Sequence, residues 1–347
     1  MTTTPGPALD VEEALTHWPI DSPVFDEPDA GLINHTWRVG EPPRAILQWV
    51  NPIFDARIHH DIEAVVGRLS SAGFVTPRLL PTRKGELFQL DPNGGTWRLL
   101  SYLPGRTVHR LDDIEQAREA GTLVGKFHAA LDGWSHAFRA PRRNIHDTPA
   151  RMAELRSALE GASEHPLGAE SRDLGEEILA LWDTWGGSLE QKERVCHGDL
   201  KISNLRFDTE GRATALLDLD TLGPMTLASE LGDAWRSWCN PAGEDHLDLI
   251  HFRIDLFEAS IRPWLRNGPS LDGEERDSLV PGIERISLEL ASRFCADAVR
   301  NDYFREDRER FPQPGAHNLL RARGQVRLAR SARAASEECR RILRASF

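Results

Sequence analysis

Several things are scarce in these 347 residues, and each scarcity removes a class of protein. Nowhere does the chain approach the run of about 18 apolar residues that a membrane-spanning helix needs. There are four cysteines (196, 239, 295 and 339), widely spread and without a CxxC pair. That spacing argues against a zinc ribbon or a disulfide framework, and for free thiols in a reducing cytoplasm. The first residues, MTTTPGPALDVEEAL, are polar and acidic with no basic or apolar leader region, so no signal peptide is expected. Internal repeats and low-complexity tracts are absent. Basic residues are in deficit, 42 against 54 acids, and the net charge of −12 disfavours a general nucleic-acid binder. The deficit is uneven, because residues 321–347 carry eight Arg and only two acids. The plain reading is a C-terminal helix whose Arg face lies on the acidic body or in water; an RNA or membrane patch is the alternative.

What is present is ordinary globular material, 40% hydrophobic and 28% charged, in a chain too long for one small core. Residues 31–40 and 44–50 read as short strands joined by the turn GEPP. Then Ile58, Ile62, Val65, Val66 and Leu69 recur at helical spacing, with Gly73 as a stop. Two further strands, GELFQL and TWRLLSYL, are broken by DPNGG. Beyond LPGRT the pattern turns helical, with apolar stripes over 113–134 and 172–185 and long helices from about 227. The expected fold is α+β in two lobes. An N-terminal segment, 1–27, precedes a small antiparallel-sheet lobe, 28–104, and a larger, mostly helical lobe, 105–347.

The chemistry concentrates in RVCHGDLKISNLRF, residues 194–207, followed by LLDLD. Phosphoryl transfer needs a carboxylate to orient the attacking hydroxyl and magnesium to hold the phosphates. Asp199 sits on a loop where it can accept the hydroxyl proton. Asn204 and Asp218 offer the amide and carboxylate oxygens that magnesium prefers. Asp220, two residues on in a segment read as extended, points the same way as Asp218 and is a second metal ligand or a substrate contact. His197 reads as structural, bonding the loop backbone. Singly these residues are commonplace; the H-G-D-x4-N, strand, D order is not.

HGDLKISNLRF…LLDLD resembles the aminoglycoside phosphotransferase and choline kinase family, relatives of protein kinases by fold. The likeness runs over roughly 28 to 335 and implies an ATP- and magnesium-dependent kinase of small molecules. By that resemblance Asp199 is the catalytic base and Asn204 and Asp218 hold Mg2+. Asn34, His35 and Thr36 of GLINHTW belong to a loop over the ATP phosphates, and the backbone of Ser101 to Leu103 binds adenine. DLDTLGPMTLASELGDAWRSWCNPAGED and NDYFREDRERFPQPGAHNLLRARGQVRLARS are similar to segments of the N-acetylhexosamine 1-kinase branch. One position departs from the pattern. Kinases of this fold place a Lys on the third strand, paired with a helix Glu. Here the strand RAILQWV offers Gln48, with Arg44 at its start, and the helix offers Glu63.

For the acceptor, a sugar asks for polar partners and an aromatic face. Asp220, Arg236, Arg293 and Tyr303 are the substrate contacts expected from family position; core packing for Tyr303 and an ion pair of Arg236 with Asp233 or Glu230 are the plainer alternatives. The leading expectation is a cytoplasmic kinase of an N-acetylhexosamine or related sugar, with no membrane or nucleic-acid partner. Kinases of aminoglycosides, choline or homoserine come next. A non-catalytic nucleotide-binding relative and, last, a metal-dependent hydrolase complete the alternatives.

Overall fold

Alternation of apolar side chains builds the first sheet. The computed structural model describes residues 9–20, 34–92, 94–141 and 145–346, and the backbone of Phe25–Asp26. It divides into two units, one of residues 1–104 with 136–141 and one of 105–135 with 142–347.

In the first unit β1 (Phe25–Asp26), β2 (His35–Val39), β3 (Ala45–Val50), β6 (Thr96–Ser101) and β4 (Leu79–Leu80) lie side by side in that order, with β5 (Gln89–Leu90) also on β6. Every pairing is antiparallel. Register sorts the two faces. Trp37, Leu47 and Leu99 are directly opposed, as are Trp49 and Trp97, and these side chains form one core cluster. The row Thr36, Gln48, Arg98 therefore lies on the other face. Short helix α1 (Val11–Leu15) and Trp18 close the first face; Trp18 is fully buried and its indole N–H donates to Leu80 O at 2.8 Å. Residues 9–20, expected to precede the lobe, are thus part of its core. Helix α2 (Ile58–Ser71) buries Ile58, Ile62, Val65, Val66 and Leu69, the stripe read from the sequence.

A buried carboxylate ties the detached segment to this unit. Asp61, 3% exposed, accepts from His136 Nε2 at 2.8 Å and from the backbone N–H groups of Arg139 and Ala140.

The second unit is mainly helical. Strand β7 (Arg106–Thr107) leads to α3 (Ile114–Leu131), α4 (Thr148–Glu160) and α5 (Gly168–Asp183). Strands β8 (Glu193–Cys196), β9 (Leu205–Phe207), β10 (Ala213–Leu216) and β11 (Gly223–Thr226) follow, then α6 (Leu227–Trp238), α7 (Ile254–Asn267), α8 (Gly273–Arg300) and α9 (Ala316–Arg344). Asp113, Asp147, Thr226 and Asp272 cap helices by accepting a backbone N–H three residues on. Helix α4 was not evident in the sequence, since its apolar residues are few; it is held by burying Met152, Leu155, Ala158 and Leu159 against α8. The arginines of α9 engage acids of their own chain: Arg321 with Glu244, Arg323 with Glu170, Arg330 with Glu177 and Arg333 with Glu284. The docked-helix reading of the basic tail is the one observed.

Helices α6 and α8 meet backbone to backbone. A Cβ built on Gly282 would stand 2.1 Å from Ala228 O, and one on Gly232 would stand 2.5 Å from Gly282 O. Gly273, on the same helix α8, has nothing within 4 Å of such a carbon. Gly282→Ala is therefore expected to cost about 1–3 kcal/mol or more by overpacking, whereas Gly273→Ala should leave the urea midpoint unchanged or raise it. Equal midpoints for the two variants would refute the close approach.

Candidate active site

The loop between β8 and β9 is built around one acid. Glu230 is fully buried on α6; its Oε1 accepts His197 N–H and its Oε2 accepts Gly198 N–H, both at 2.8 Å. His128 Nε2 donates to Glu230 Oε1 at 3.1 Å, and Trp264 Nε1 donates to His128 Nδ1 at 3.0 Å. An indole N–H can only donate, so the imidazole proton lies on Nε2, facing the carboxylate. Burial pushes the Glu230 carboxyl up, but the hydrogen bond and field of His128 and the bonds from the loop outweigh it and hold it below the ordinary carboxylate value.

His197 is structural, as its sequence context suggested. Its Nε2 donates to Leu217 O at 2.8 Å and its Nδ1 accepts Asp199 N–H at 3.3 Å. Gly198 takes φ +83°, and a Cβ there would stand 2.6 Å from Thr221 O. The loop is thus pressed against the segment that follows β10.

Asp199 is the focus. Its Oδ2 accepts from Lys201 Nζ at 2.6 Å and from Asn204 Nδ2 at 3.1 Å; Asn204 Nδ2 also donates to Asp199 O at 2.8 Å. Burial raises the Asp199 carboxyl, but the Lys201 ammonium, His197 and Asn204 more than offset it and leave it below the ordinary value, ionised at neutral pH. With Nδ2 of Asn204 committed to Asp199, its amide oxygen is the atom suited to a cation.

Asp218 follows β10 in the left-handed region, φ 57° and ψ 68°, a conformation costly for a residue with a Cβ. Its side chain is exposed. The protein around it, then the Asp220 carboxylate, push its carboxyl up, with Lys201 acting the other way. Residues 219–221 form a 3-10 turn, so the segment is not extended and strand alternation does not set the directions of Asp218 and Asp220; Asp220 is 3% exposed. One amide oxygen and a carboxylate held against a repelling neighbour make a donor set that fits magnesium.

Of the expected acceptor contacts, Arg236 donates to Asp233 Oδ1 from Nε (3.1 Å) and Nη2 (2.7 Å), and lies 3.7 Å from Glu244. It is held as an ion pair, in the field of Asp199. Arg293 lies over the Tyr303 ring, 5.3 Å from its centroid, and Tyr303 is 50% exposed, so it is not core. Asp297 fixes that loop by accepting the N–H groups of Asp302, Tyr303 and Phe304.

In the first unit the expected nucleotide residues separate. Thr36 Oγ1 accepts from Gln48 Nε2 at 3.0 Å. His35 stacks on Trp37 and meets Trp49 edge-on, on the opposite face from Gln48. Asn34 Oδ1 accepts Asn51 N–H, and Gly31 to Ile33 lie outside the described residues. Glu63 is exposed on α2 and is not the partner of Gln48, which bonds Thr36 and Arg98 instead. The Ser101 N–H donates to Arg78 O and the Tyr102 N–H to Arg44 O, so the first two amides of the stretch expected to meet adenine are engaged within the unit.

Lys201, His128 and Asp297 escaped the sequence reading, and Glu230 entered it only as a possible partner of Arg236. Lys201 stood two residues past Asp199 and was legible there; the other three join the site only through tertiary contacts. His128, Cys196 and Glu230 cluster tightly, yet the hydrogen bonds account for them, and burial pushes the Cys196 thiol well up. All four cysteines are buried free thiols.

Residues 25–264 match the phosphotransferase enzyme family. The chain belongs to that family and is a phosphotransferase. Among solved structures it is similar to an amicoumacin kinase in complex with AMP-PNP and Ca2+ (TM-score 0.61, 13% identity, 91% of each chain). It is also similar to a microcompartment-associated aminopropanol kinase (0.63, 16%, 94% of this chain and 97% of that one). A third is an aminoglycoside phosphotransferase from Alicyclobacillus acidocaldarius (0.60, 16%, 95% and 97%). At these identities the likeness establishes the fold: the two-lobe, protein-kinase-like α+β architecture.

If Glu230 anchors the loop, its ionised form stabilises the fold above its ordinary 4.5, and that contribution fades as pH falls through the lower folded value. Glu230→Gln is expected to lose about 3–5 kcal/mol at pH 7 and to show a shallower acid slope in urea unfolding. A wild-type slope in the variant would remove Glu230 from this role.

Proposed function

We propose that the protein transfers the γ-phosphoryl group of ATP, with magnesium, to a hydroxyl of a small molecule, an N-acetylhexosamine or related sugar. The observation that carries this reading is the Asp199 carboxylate, held ionised between Lys201 and Asn204. Asp199 takes the proton of the acceptor hydroxyl as its oxygen bonds the γ-phosphorus; the bond from that phosphorus to the β-phosphate oxygen breaks and ADP leaves. Asn204 and Asp218 would hold Mg2+, which when bound neutralises phosphate charge. Lys201 adds a fixed positive charge where negative charge develops.

A sugar acceptor is supported by the Arg236–Asp233 pair, which lies in the field of Asp199, and by an open aromatic ring, Tyr303, under Arg293. An aminoglycoside, choline, homoserine or another small alcohol is the alternative acceptor. Four buried free thiols favour the cytoplasm.

The test is magnesium-dependent ATP consumption against sugars, aminoglycosides, choline and homoserine. Turnover with an N-acetylhexosamine supports the reading in full, and turnover with another alcohol alone replaces the sugar. Asp199→Asn is expected to lower transfer by about 10²–10⁴-fold with Mg-ATP affinity retained; full turnover in that variant would remove Asp199 as the base. Asp218→Ala should abolish magnesium-dependent nucleotide binding, and because its carboxyl is raised, that binding should weaken in wild type as pH falls toward the carboxylate range.

A further inference from the structure

Leu200 and Ile202 are buried and Lys201 between them is part exposed, so the chain after Asp199 is held on either side of the lysine. The hold comes from one face of α6. Glu230, Ser237 and Trp238 stand at i, i+7 and i+8 of that helix and so share a side. Glu230 takes the first two amides of the loop. Two turns on, Ser237 Oγ accepts the Ile202 N–H at 3.0 Å, and the Trp238 indole N–H donates to Leu200 O at 2.8 Å. Leu200 O belongs to the peptide group just before the Lys201 Cα, and Ile202 N to the one just after it. Each peptide group is a rigid plane, so holding both fixes the two backbone torsions of Lys201, at φ −56° and ψ 149°.

Resting on the reading of Asp199 as the base of a phosphotransferase, we propose that Ser237 and Trp238 are positioning residues for the reaction. By clamping the peptide groups on either side of Lys201, they aim its ammonium at Asp199. A lysine carries its charge on a flexible four-carbon stem and keeps to one partner only when its starting point is set. The Lys201 side chain is 40% exposed, with room to swing into water once the clamp is lost. Held as it is, it meets Asp199 Oδ2 at 2.6 Å, the same oxygen that Asn204 Nδ2 approaches at 3.1 Å. Oδ1 is then the oxygen assigned to the acceptor hydroxyl. Burial works against the charge of the lysine, but Asp199 and then Asp218 hold the ammonium above its ordinary value. The clamp itself stands on core material, since Trp238 is buried on α6 as Leu200 and Ile202 are on the loop.

The test reads transfer and nucleotide binding separately in the full-length protein. Transfer is followed from Mg-ATP to N-acetylglucosamine, or to an aminoglycoside, choline or homoserine where that is the alcohol turned over; Mg-ADP binding is followed by calorimetry. Ser237→Ala should lower kcat about 10- to 100-fold with Mg-ADP affinity unchanged. Ser237→Thr, which keeps the accepting oxygen, should restore most of the rate. Trp238→Phe, which keeps a buried ring and loses the donor, should also lower kcat alone, and it decides the matter if Ser237→Ala fails to fold. The sharpest comparison is a double-mutant cycle. Added to Lys201→Met, Ser237→Ala should cost little more, because its effect passes through that lysine. Losses that multiply would overturn the proposal, and so would kcat and Mg-ADP affinity falling together, the mark of a loosened fold. Wild-type kcat in both Ser237→Ala and Trp238→Phe would overturn it as well. No turnover of any of these alcohols by the wild-type protein, or full turnover by Asp199→Asn, would instead overturn the functional reading on which it rests.

Discussion

One buried carboxylate holds the reacting loop in shape. Glu230 meets two consecutive backbone N–H groups and one imidazole in a place that water does not reach. Left unpaired there, each of those groups would cost free energy comparable to a lost hydrogen bond. Paired, they fix where the chain turns before Asp199. The helix presenting Glu230 is itself set by the Gly232 and Gly282 contact with α8, so the geometry of a surface loop is decided by glycines in the middle of a helix bundle. Precision at Asp199 is a packing property before it is an electrostatic one.

The electrostatics then separate two nearby acids. Asp199 has a lysine on one oxygen and is held ionised; Asp218 faces another carboxylate and is pushed the opposite way. Such divergence suits the two tasks proposed for them, proton acceptance by Asp199 and cation binding by Asp218. The left-handed backbone of Asp218 is the kind of local strain that a fold tolerates where the side chain must point in one direction.

Much of this was legible in the sequence. Strands β2, β3 and β6 and helix α2 announced themselves by period, whereas the expected strand GELFQL is a strand only at Gln89–Leu90; the order of His197, Asp199, Asn204 and Asp218 pointed to the loop. What was not legible has physical reasons. Asp218 to Asp220 read as a strand because local pattern cannot register a single positive φ. His35 sat beside Thr36 in the sequence, yet alternation sends it to the tryptophan face. Arg98 looked like one more polar residue in TWRLLSYL, and only strand register brings it against Gln48, 50 residues away. Helix α4 has too sparse an apolar stripe to stand out alone and gains its definition from α8.

Asp61 deserves a last consequence. The chain leaves the first unit after residue 104, returns for 136–141 and leaves again, and on its return it brings the three groups that satisfy a carboxylate only 3% exposed. The first unit is thus discontinuous in sequence. A fragment ending at residue 104, the cut that a linear reading of the chain invites, would carry an interior anion stripped of its donors, so this lobe is not a module that evolution or an engineer could move by a single splice.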